Sequence, residues 1–536
     1  MPNTENGHSR GEEASWPREL DAAGATTGVS VLRGAAWGLA GQVLPQFYLI
    51  ALSIAAARFL GPTRFGRQSF IAFVEITVIS LLSAGVPHTV ARFVADALGR
   101  RDSAFALRIT RWAWRIAIGG AIGGTALLIE VGIAGGSPRA AWFLAAAAAG
   151  AGILARVPAA FLTGIQQWRA QTLVGLTLGA VGAVVAIAVL AAGFGITGMF
   201  AVEAATGAVS LILLSVFASR ASARYRRDVH AAPISRELVG DVARYAGLVS
   251  INVIFTLVIW RRSELFFLQH FSPVREMGYY SIAFAAATAP VLAIQGLIGV
   301  LMPALATLHG AGSIDRIRSG FSRSLRLLLV ISFPITAFAV ALGPTLIKLV
   351  YGDRYASVGP ILVILLAVLP LVPLTTLSNA LLAATARLRF VVFLNVVVSG
   401  VNILLDLLLI PRYDAVGAAV ASATAQMIIG LLIVLYASKV LGGIRWEYPV
   451  IVRAAVTSVL AGLTASACVT AENGVVGFAA GLVAGAFVFA VLANRLKIVY
   501  YADGEWLAGA VGSRLRGLAG RSIALIAQPS RQIENP

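Results

Sequence analysis

Long apolar stretches alternate with short polar ones along almost the whole chain. The apolar stretches have the length of about 20 residues that an α-helix needs to cross a bilayer. On this criterion we predict about fourteen membrane-spanning segments, numbered 1 to 14 in chain order. They run over residues 34–57, 69–91, 112–134, 141–163, 173–193, 196–218, 245–269, 279–305, 325–349, 360–383, 390–410, 416–437, 449–470 and 475–493. The pattern therefore predicts an all-α integral membrane protein.

Composition supports this interpretation and limits the available chemistry. Of the 536 residues, 58% are hydrophobic and 12% charged, and the mean hydropathy of +0.85 is far above that of soluble domains. Residues 1–30 are polar and lack the apolar core of a cleavable signal, so segment 1 is expected to target the chain. A single cysteine, Cys468, and scattered histidines predict neither a disulfide framework nor a metal site. No glycine-rich ATP-binding loop occurs, and no cofactor is predicted.

The net charge of +18 is distributed unevenly among the connections between segments. The basic connections follow segments 2, 6 and 8 and contain Arg92, Arg100, Arg101, Arg108, Arg111, Arg220, Arg224, Arg226, Arg227, Arg236, Arg244, Arg316, Arg318 and Arg323. The positive-inside rule then places these connections and both termini on the cytoplasmic side of the membrane. One outer connection is an exception, because it contains Arg58, Arg64 and Arg67. The charge indicates topology and contact with anionic lipid, not nucleic-acid binding.

A repeated motif divides the first twelve segments into two halves. The chain reads GPTRFGRQSFIAF after segment 1 and SPVREMGYYSIAF after segment 7. Pro, Gly and Ser recur in the same order, as Pro62, Gly66 and Ser69 and as Pro273, Gly278 and Ser281. The two copies of the motif are six segments apart, and an even number of membrane crossings preserves the orientation. The repeat therefore predicts two parallel six-helix lobes with a cavity between them.

The predicted domain organisation follows from this repeat. We expect a disordered cytoplasmic tail (1–30), an N-terminal lobe (31–219), a basic linker (220–244), a C-terminal lobe (245–440), two further helices (441–494) and a basic cytoplasmic tail (495–536). Segments 13 and 14 lie outside the paired lobes.

Four motifs carry a resemblance to a known family. They are ARFLGPTRFGRQSF with VARFVADALGRRD, LVYGDRY, and the run from Asn395 to Ala421. Together with the layout of segments they resemble the polysaccharide flippases of the multidrug/oligosaccharidyl-lipid/polysaccharide exporter superfamily. The resemblance implies two lobes around a cationic cavity and alternating access. It also implies translocation of undecaprenyl-pyrophosphate-linked glycan units for surface polysaccharides such as O-antigen or exopolysaccharide, beside a polymerase and glycosyltransferases.

Several alternatives remain open at this point. A lipid II flippase and a cation-coupled drug antiporter belong to the same superfamily, and a non-transporting scaffold for glycan assembly is a different class of protein. The stretch ADALGRR at residues 95–101 matches the major-facilitator pattern only in part, since Arg92 and Ala97 replace two of its positions. A membrane glycosyltransferase or ligase would carry a large outer loop with catalytic carboxylates, and we predict that the protein is not an enzyme.

Two adjacent arginines interrupt the apolar sequence VIWRRSELFFLQ in segment 7. An ionised side chain at bilayer depth costs about 3 kcal/mol or more, so each one is a candidate functional residue. Guanidinium groups match the oxygens of a pyrophosphate, which favours Arg261 and Arg262 as substrate ligands. Alternatively, Arg261 pairs with Glu264 and Arg262 extends to the outer surface. Further candidates for contact with pyrophosphate or glycan are Arg156, Gln42, Gln46, Asn252 and Gln295.

Four carboxylates at membrane depth are candidates for coupling transport to an ion gradient. They are Glu75, Glu203, Glu264 and Asp406. A carboxylate in such a place can exchange a proton or bind sodium, whereas the alternative for each is an ion pair or a contact with lipid headgroups. Asn395 and Asn402 are interpreted as packing residues, because interhelical hydrogen bonding is the commoner use of buried amides.

Overall fold

A computed structural model describes residues 16–100, 102–223, 225, 236–260, 263–299, 314–384, 388–444, 446–472 and 474–498. The helices are α1 (Trp16–Leu82), α2 (Val86–Gly99), α3 (Ser103–Ile133), α4 (Arg139–Gly164), α5 (Trp168–Ala191), α6 (Gly195–Ala223), α7 (Arg236–Trp260), α8 (Glu264–Phe271), α9 (Val274–Gly299), α10 (Ile314–Tyr351), α11 (Val358–Ala367), α12 (Val372–Ala384), α13 (Leu388–Val440), α14 (Tyr448–Ala471) and α15 (Gly474–Arg495). Short 3₁₀ turns at Asp353–Tyr355 and Leu369–Leu371 flank α11.

Most of each predicted segment is helical where the structure describes it, although non-α turns interrupt segment 2 at residues 83–85 and segment 10 at residues 368–371. Within the described residues, 10 helical spans are long and apolar enough to cross a membrane. Two of them, with 56 and 52 residues, each contain two predicted segments. The chain reverses within these spans at Gly61 (φ 73°) and Asp414 (φ 49°), which adopt the left-handed backbone conformation. The prediction of an all-α membrane protein with paired lobes is confirmed.

Small residues determine how the N-terminal lobe packs. Helix α4 contains a run of alanines, of which Ala145, Ala146 and Ala149 are fully buried. Because these side chains are short, α3 and α6 approach α4 closely, as small residues allow inside membranes. Large side chains such as Phe161 and Phe200 fill the remaining space. The result is a tightly packed bundle built on α4.

The last two helices dock on the C-terminal lobe. Gly462 of α14 contacts α10, since a Cβ at this glycine would lie 3.1 Å from the carbonyl oxygen of Ala337. At one end of this interface, the buried guanidinium of Arg326 on α10 pairs with Glu447, which precedes α14. Apolar and ionic contacts therefore both attach α14 to α10.

We expect Arg326→Ala to lower the free energy of unfolding by about 1–3 kcal/mol, because it leaves Glu447 without its charged hydrogen-bond partner. Thermal unfolding in detergent measures the change. Arg453→Ala is the matched control, because Arg453 is an exposed arginine of α14 whose bond to Leu496 is long, at 3.4 Å. An equal loss of stability in both variants would contradict this role for the ion pair.

One boundary differs from the sequence prediction. Helix α1 is described from Trp16 onward, so part of the expected disordered tail 1–30 is helical. In segment 7 the structure describes α7 as far as Trp260 and α8 from Glu264 onward, and Arg261 and Arg262 lie outside the described residues. The proposed lobe and linker boundaries otherwise stay predictions.

Candidate functional site

The second half of segment 7 places a carboxylate inside the C-terminal lobe. Glu264 is the first residue of α8 and is 1% exposed. Its carboxylate faces Tyr280 on α9 and Ser422 and Asn402 on α13. All three facing residues are buried as well. A side chain at the start of a helix is thus enclosed by two other helices.

A second carboxylate belongs to the same cluster. Asp406 on α13 is 0% exposed, and its Oδ2 accepts a hydrogen bond of 3.2 Å from the Nδ2 of Asn402. Its charge interacts unfavourably with that of Glu264. We call Glu264, Tyr280, Asn402, Asp406 and Ser422 the C-lobe cluster.

The polar atoms of this cluster are poorly satisfied by one another. Both carboxylate oxygens of Glu264, Oδ1 of Asp406, Oδ1 of Asn402 and the hydroxyl of Tyr280 lack a hydrogen bond of normal geometry. Within the described residues, neither carboxylate forms a salt bridge. Two ionised carboxylates without a partner are strongly unfavourable in such a place. The arrangement therefore suits a bound proton or a small cation, with carboxylate, amide and hydroxyl oxygens as ligands.

A tight turn in α13 holds the two sides of the cluster together. The helix reverses at Asp414, which brings Asn402 and Asp406 before the turn opposite Ser422 after it. Gly417 packs against the helical segment before the turn, because a Cβ there would overlap the carbonyl group of Leu409, with 2.7 Å to its carbon. The glycine thus permits the close return of the chain.

The other two predicted coupling residues lie in the N-terminal lobe. Glu75 on α1 is 4% exposed, and its Oε2 has no hydrogen-bond partner. Glu203 on α6 is exposed, yet it lies close enough for its charge to interact with that of Glu75. The four predicted carboxylates therefore form two pairs, one in each lobe.

The structure tests few of the predicted substrate ligands. Arg261 and Arg262 lie outside the described residues, as do the side chains of Gln42, Asn252 and Gln295. Gln46 on α1 is half-buried and Arg156 on α4 is exposed, and each interacts with another group of the protein. These substrate contacts stay predictions.

Sequence reasoning identified the two acids of the C-lobe cluster but missed Tyr280 and Ser422 and assigned Asn402 to packing. One signal was available, since Asn402 and Asp406 are four residues apart and share a helix face. Tyr280 and Ser422 carry no comparable signal, because only the packing of α8 against α9 and α13 brings them to Glu264.

The fold is that of a two-lobed membrane protein with buried acids in each lobe. The chain belongs to the family described as "Polysaccharide biosynthesis protein", whose sequence model matches residues 55–360. A second family model, "Lipid II flippase MurJ", matches residues 277–492. The expected relationship to the polysaccharide flippases of the exporter superfamily is confirmed.

Individual relatives agree with this family. The chain is 24% identical over 220 residues to the teichuronic acid biosynthesis protein TuaB of Bacillus subtilis (strain 168). This match spans 41% of the chain and 43% of that relative, less than half of each.

Solved structures share the fold. One of the lipid II flippase MurJ in an inward closed conformation has a TM-score of 0.65 at 13% identity, covering 87% of this chain and 98% of that one. An inward-facing multidrug resistance MATE transporter has a TM-score of 0.58 at 14% identity and covers 75% and 98%. A transporter of the same superfamily from Pyrococcus furiosus has a TM-score of 0.57 at 15% identity and covers 77% and 95%.

Proposed function

We propose that the protein is a flippase that moves undecaprenyl-pyrophosphate-linked oligosaccharides across the bacterial inner membrane by alternating access. Its membership of the polysaccharide biosynthesis family supports a glycan substrate. The single observation that favours an active transporter is the pair of buried acids in the C-lobe cluster, which have no ion-pair partner among the described residues. A static scaffold gains nothing from such an unfavourable pair, whereas a transporter can use its binding of a proton or cation.

The C-lobe cluster is proposed as the ion-coupling site. Glu264 and Asp406 lie on different helices, α8 and α13, so neutralising them removes a repulsion between these two elements. Binding and release of a proton or sodium ion would then favour two different arrangements of the lobe. Glu75 and Glu203 are proposed as a secondary coupling pair.

The pyrophosphate is proposed to bind Arg261 and Arg262, with Arg156, Gln42, Gln46, Asn252 and Gln295 contacting pyrophosphate or glycan. Arginine remains protonated in a medium of low dielectric constant and binds two phosphate oxygens at once. With both termini cytoplasmic, the substrate would be delivered by glycosyltransferases on one side and consumed by a polymerase on the other.

A lipid II flippase is the second candidate, because the corresponding family model covers residues 277–492. Its substrate also carries a polyprenyl pyrophosphate, so the two functions differ in the glycan. A drug antiporter shares the fold but not the expected cationic binding site.

Reconstitution in liposomes tests the proposal. Liposomes containing the purified full chain receive a fluorescent polyprenyl-pyrophosphate oligosaccharide or fluorescent lipid II, and an added quencher reports the fraction that has crossed. We expect the oligosaccharide to cross at least tenfold faster than in protein-free liposomes. Faster movement of lipid II would favour the second candidate, and no movement of either lipid would contradict both.

We expect the double variant Arg261→Ala/Arg262→Ala to reduce this movement at least tenfold, since it removes two charge-assisted contacts with pyrophosphate. The control is Arg244→Ala on α7, whose side chain is 76% exposed and pairs with Asp241 at the surface. Movement at the original rate in the double variant would eliminate these arginines as substrate ligands.

A further inference from the structure

Arginine Arg58 joins the two lobes on the side of the membrane where segment 1 ends. This side is the outer one in the predicted topology. From α1 of the N-terminal lobe, its Nε donates 2.7 Å to the carbonyl oxygen of Val350, and its Nη2 donates 3.1 Å to that of Leu349. Both acceptors lie in the last turn of α10, where carbonyls have no partner within the helix. Arg58 therefore caps a helix of the opposite lobe.

A tyrosine makes the reciprocal contact from the C-terminal lobe. Tyr355, in the 3₁₀ turn after α10, is 0% exposed and donates its hydroxyl to the carbonyl oxygen of Ala57 at 2.8 Å. Burial raises the pKa of this hydroxyl, which therefore remains a hydrogen-bond donor. The hydroxyls of Ser53 and Tyr351 lie 3.4 Å apart beside it. Arg58 of α1 thus donates to the end of α10, and Tyr355, just after α10, donates to α1.

The repeated glycines meet at the same place. A Cβ at Gly66 would lie 2.9 Å from the backbone nitrogen of Gly278 and would overlap the carbonyl oxygen of Val274. A Cβ at Gly278 would lie 2.6 Å from the carbonyl oxygen of Pro62. Equivalent positions of the two halves are therefore in backbone contact, and no side chain can be inserted without separating the lobes.

These contacts differ from those that hold each lobe together. Their donors are side chains of one lobe, and their acceptors are backbone carbonyls of the other. Water can replace such donors when the surfaces separate, so no backbone group is left unsatisfied on opening. Apolar residues of both lobes also pack together beside them, among them Ala57, Phe73 and Phe266, so opening exposes apolar area as well.

We propose that Arg58 and Tyr355 form a clasp that holds the outer ends of the lobes closed and that opens in each transport cycle. The clasp rests on the proposed function, because translocation requires this side to open. It explains why Arg58 follows segment 1, although the other predicted outer connections carry few basic residues.

Accessibility of a buried cysteine tests the clasp. In a Cys468→Ser background, Ser69→Cys places a thiol one helical turn from Gly66, at a position that is 6% exposed. A membrane-impermeant thiol reagent is added from the outer side of oriented vesicles. We expect Arg58→Gln, Tyr355→Phe and Gly66→Ala each to raise the labelling rate about fivefold to tenfold, since each removes or displaces inter-lobe contacts.

Matched controls distinguish opening of the clasp from a general loss of stability. Arg64→Gln removes an exposed arginine of the same connection, and Gly119→Ala adds a methyl group where nothing lies within 4 Å. Both should leave labelling unchanged, and Arg58→Lys, which retains a charged donor, should restore part of the protection. Unchanged labelling in Arg58→Gln and Tyr355→Phe would overturn the clasp, as would equal increases in the controls. Labelling is measured without substrate, so it tests the clasp even if the proposed glycan is wrong.

Discussion

Glu264→Gln and Asp406→Asn are each expected to reduce substrate movement at least tenfold without lowering stability. Each substitution keeps the shape of the side chain but removes the charge that binds a proton or cation. Because the two carboxylates repel each other and have no ion-pair partner among the described residues, neutralising one relieves an unfavourable contact. The free energy of unfolding should stay the same or rise. The fluorescent assay in liposomes and thermal unfolding in detergent measure the two effects.

An acid outside the cluster provides the comparison. Glu130→Gln replaces an exposed carboxylate near the end of α3 and should change neither quantity. If Glu264→Gln and Asp406→Asn both destabilised the protein and retained full activity, the C-lobe cluster would be structural. Loss of activity together with intact or increased stability is the combination that only a coupling role predicts.

Gly417→Val is expected to lower the free energy of unfolding by about 1–3 kcal/mol, since it forces side-chain atoms into a filled space. The added Cβ overlaps the carbonyl group of Leu409, which is backbone and cannot rotate away. Opening the turn at Asp414 also moves Ser422 away from Asn402 and Asp406, so activity should fall with stability. Thermal unfolding and the liposome assay measure both effects on one preparation.

The same helix offers the matched substitution. Gly400 on α13 is exposed, and nothing lies within 4 Å of a Cβ built there. Gly400→Val is the same glycine-to-valine substitution, but it should leave stability and activity unchanged. Equal effects at the two positions would show that helix propensity, rather than the turn, explains the loss at Gly417.

Hydrophobic pattern predicted the helices well because bilayer thickness fixes their length. It did not predict how they break. Gly61 and Asp414 interrupt the helical backbone within single apolar spans. Such breaks depend on one or two backbone dihedral angles, and a hydrophobicity average over many residues contains no information about these angles.

The candidate site was likewise predicted only in part. Charge at membrane depth identified Glu264 and Asp406, since the unfavourable energy of a buried carboxylate depends on its own position. Their neighbours depend on contacts between residues far apart in sequence, and Tyr280 and Ser422 were therefore missed. The sequence repeat matched Gly66 with Gly278 as equivalent positions, and the structure shows these two glycines in backbone contact.

The most direct test of ion-coupled translocation is the rate of substrate movement under an imposed gradient. Liposomes with the fluorescent polyprenyl-pyrophosphate oligosaccharide are given a proton or a sodium gradient, and the rate is compared with that at equilibrium. We expect one of the two gradients to accelerate movement in the original protein and neither to do so in the double variant Glu264→Gln/Asp406→Asn. Movement at the same rate with and without either gradient, unchanged in the double variant, would contradict the account.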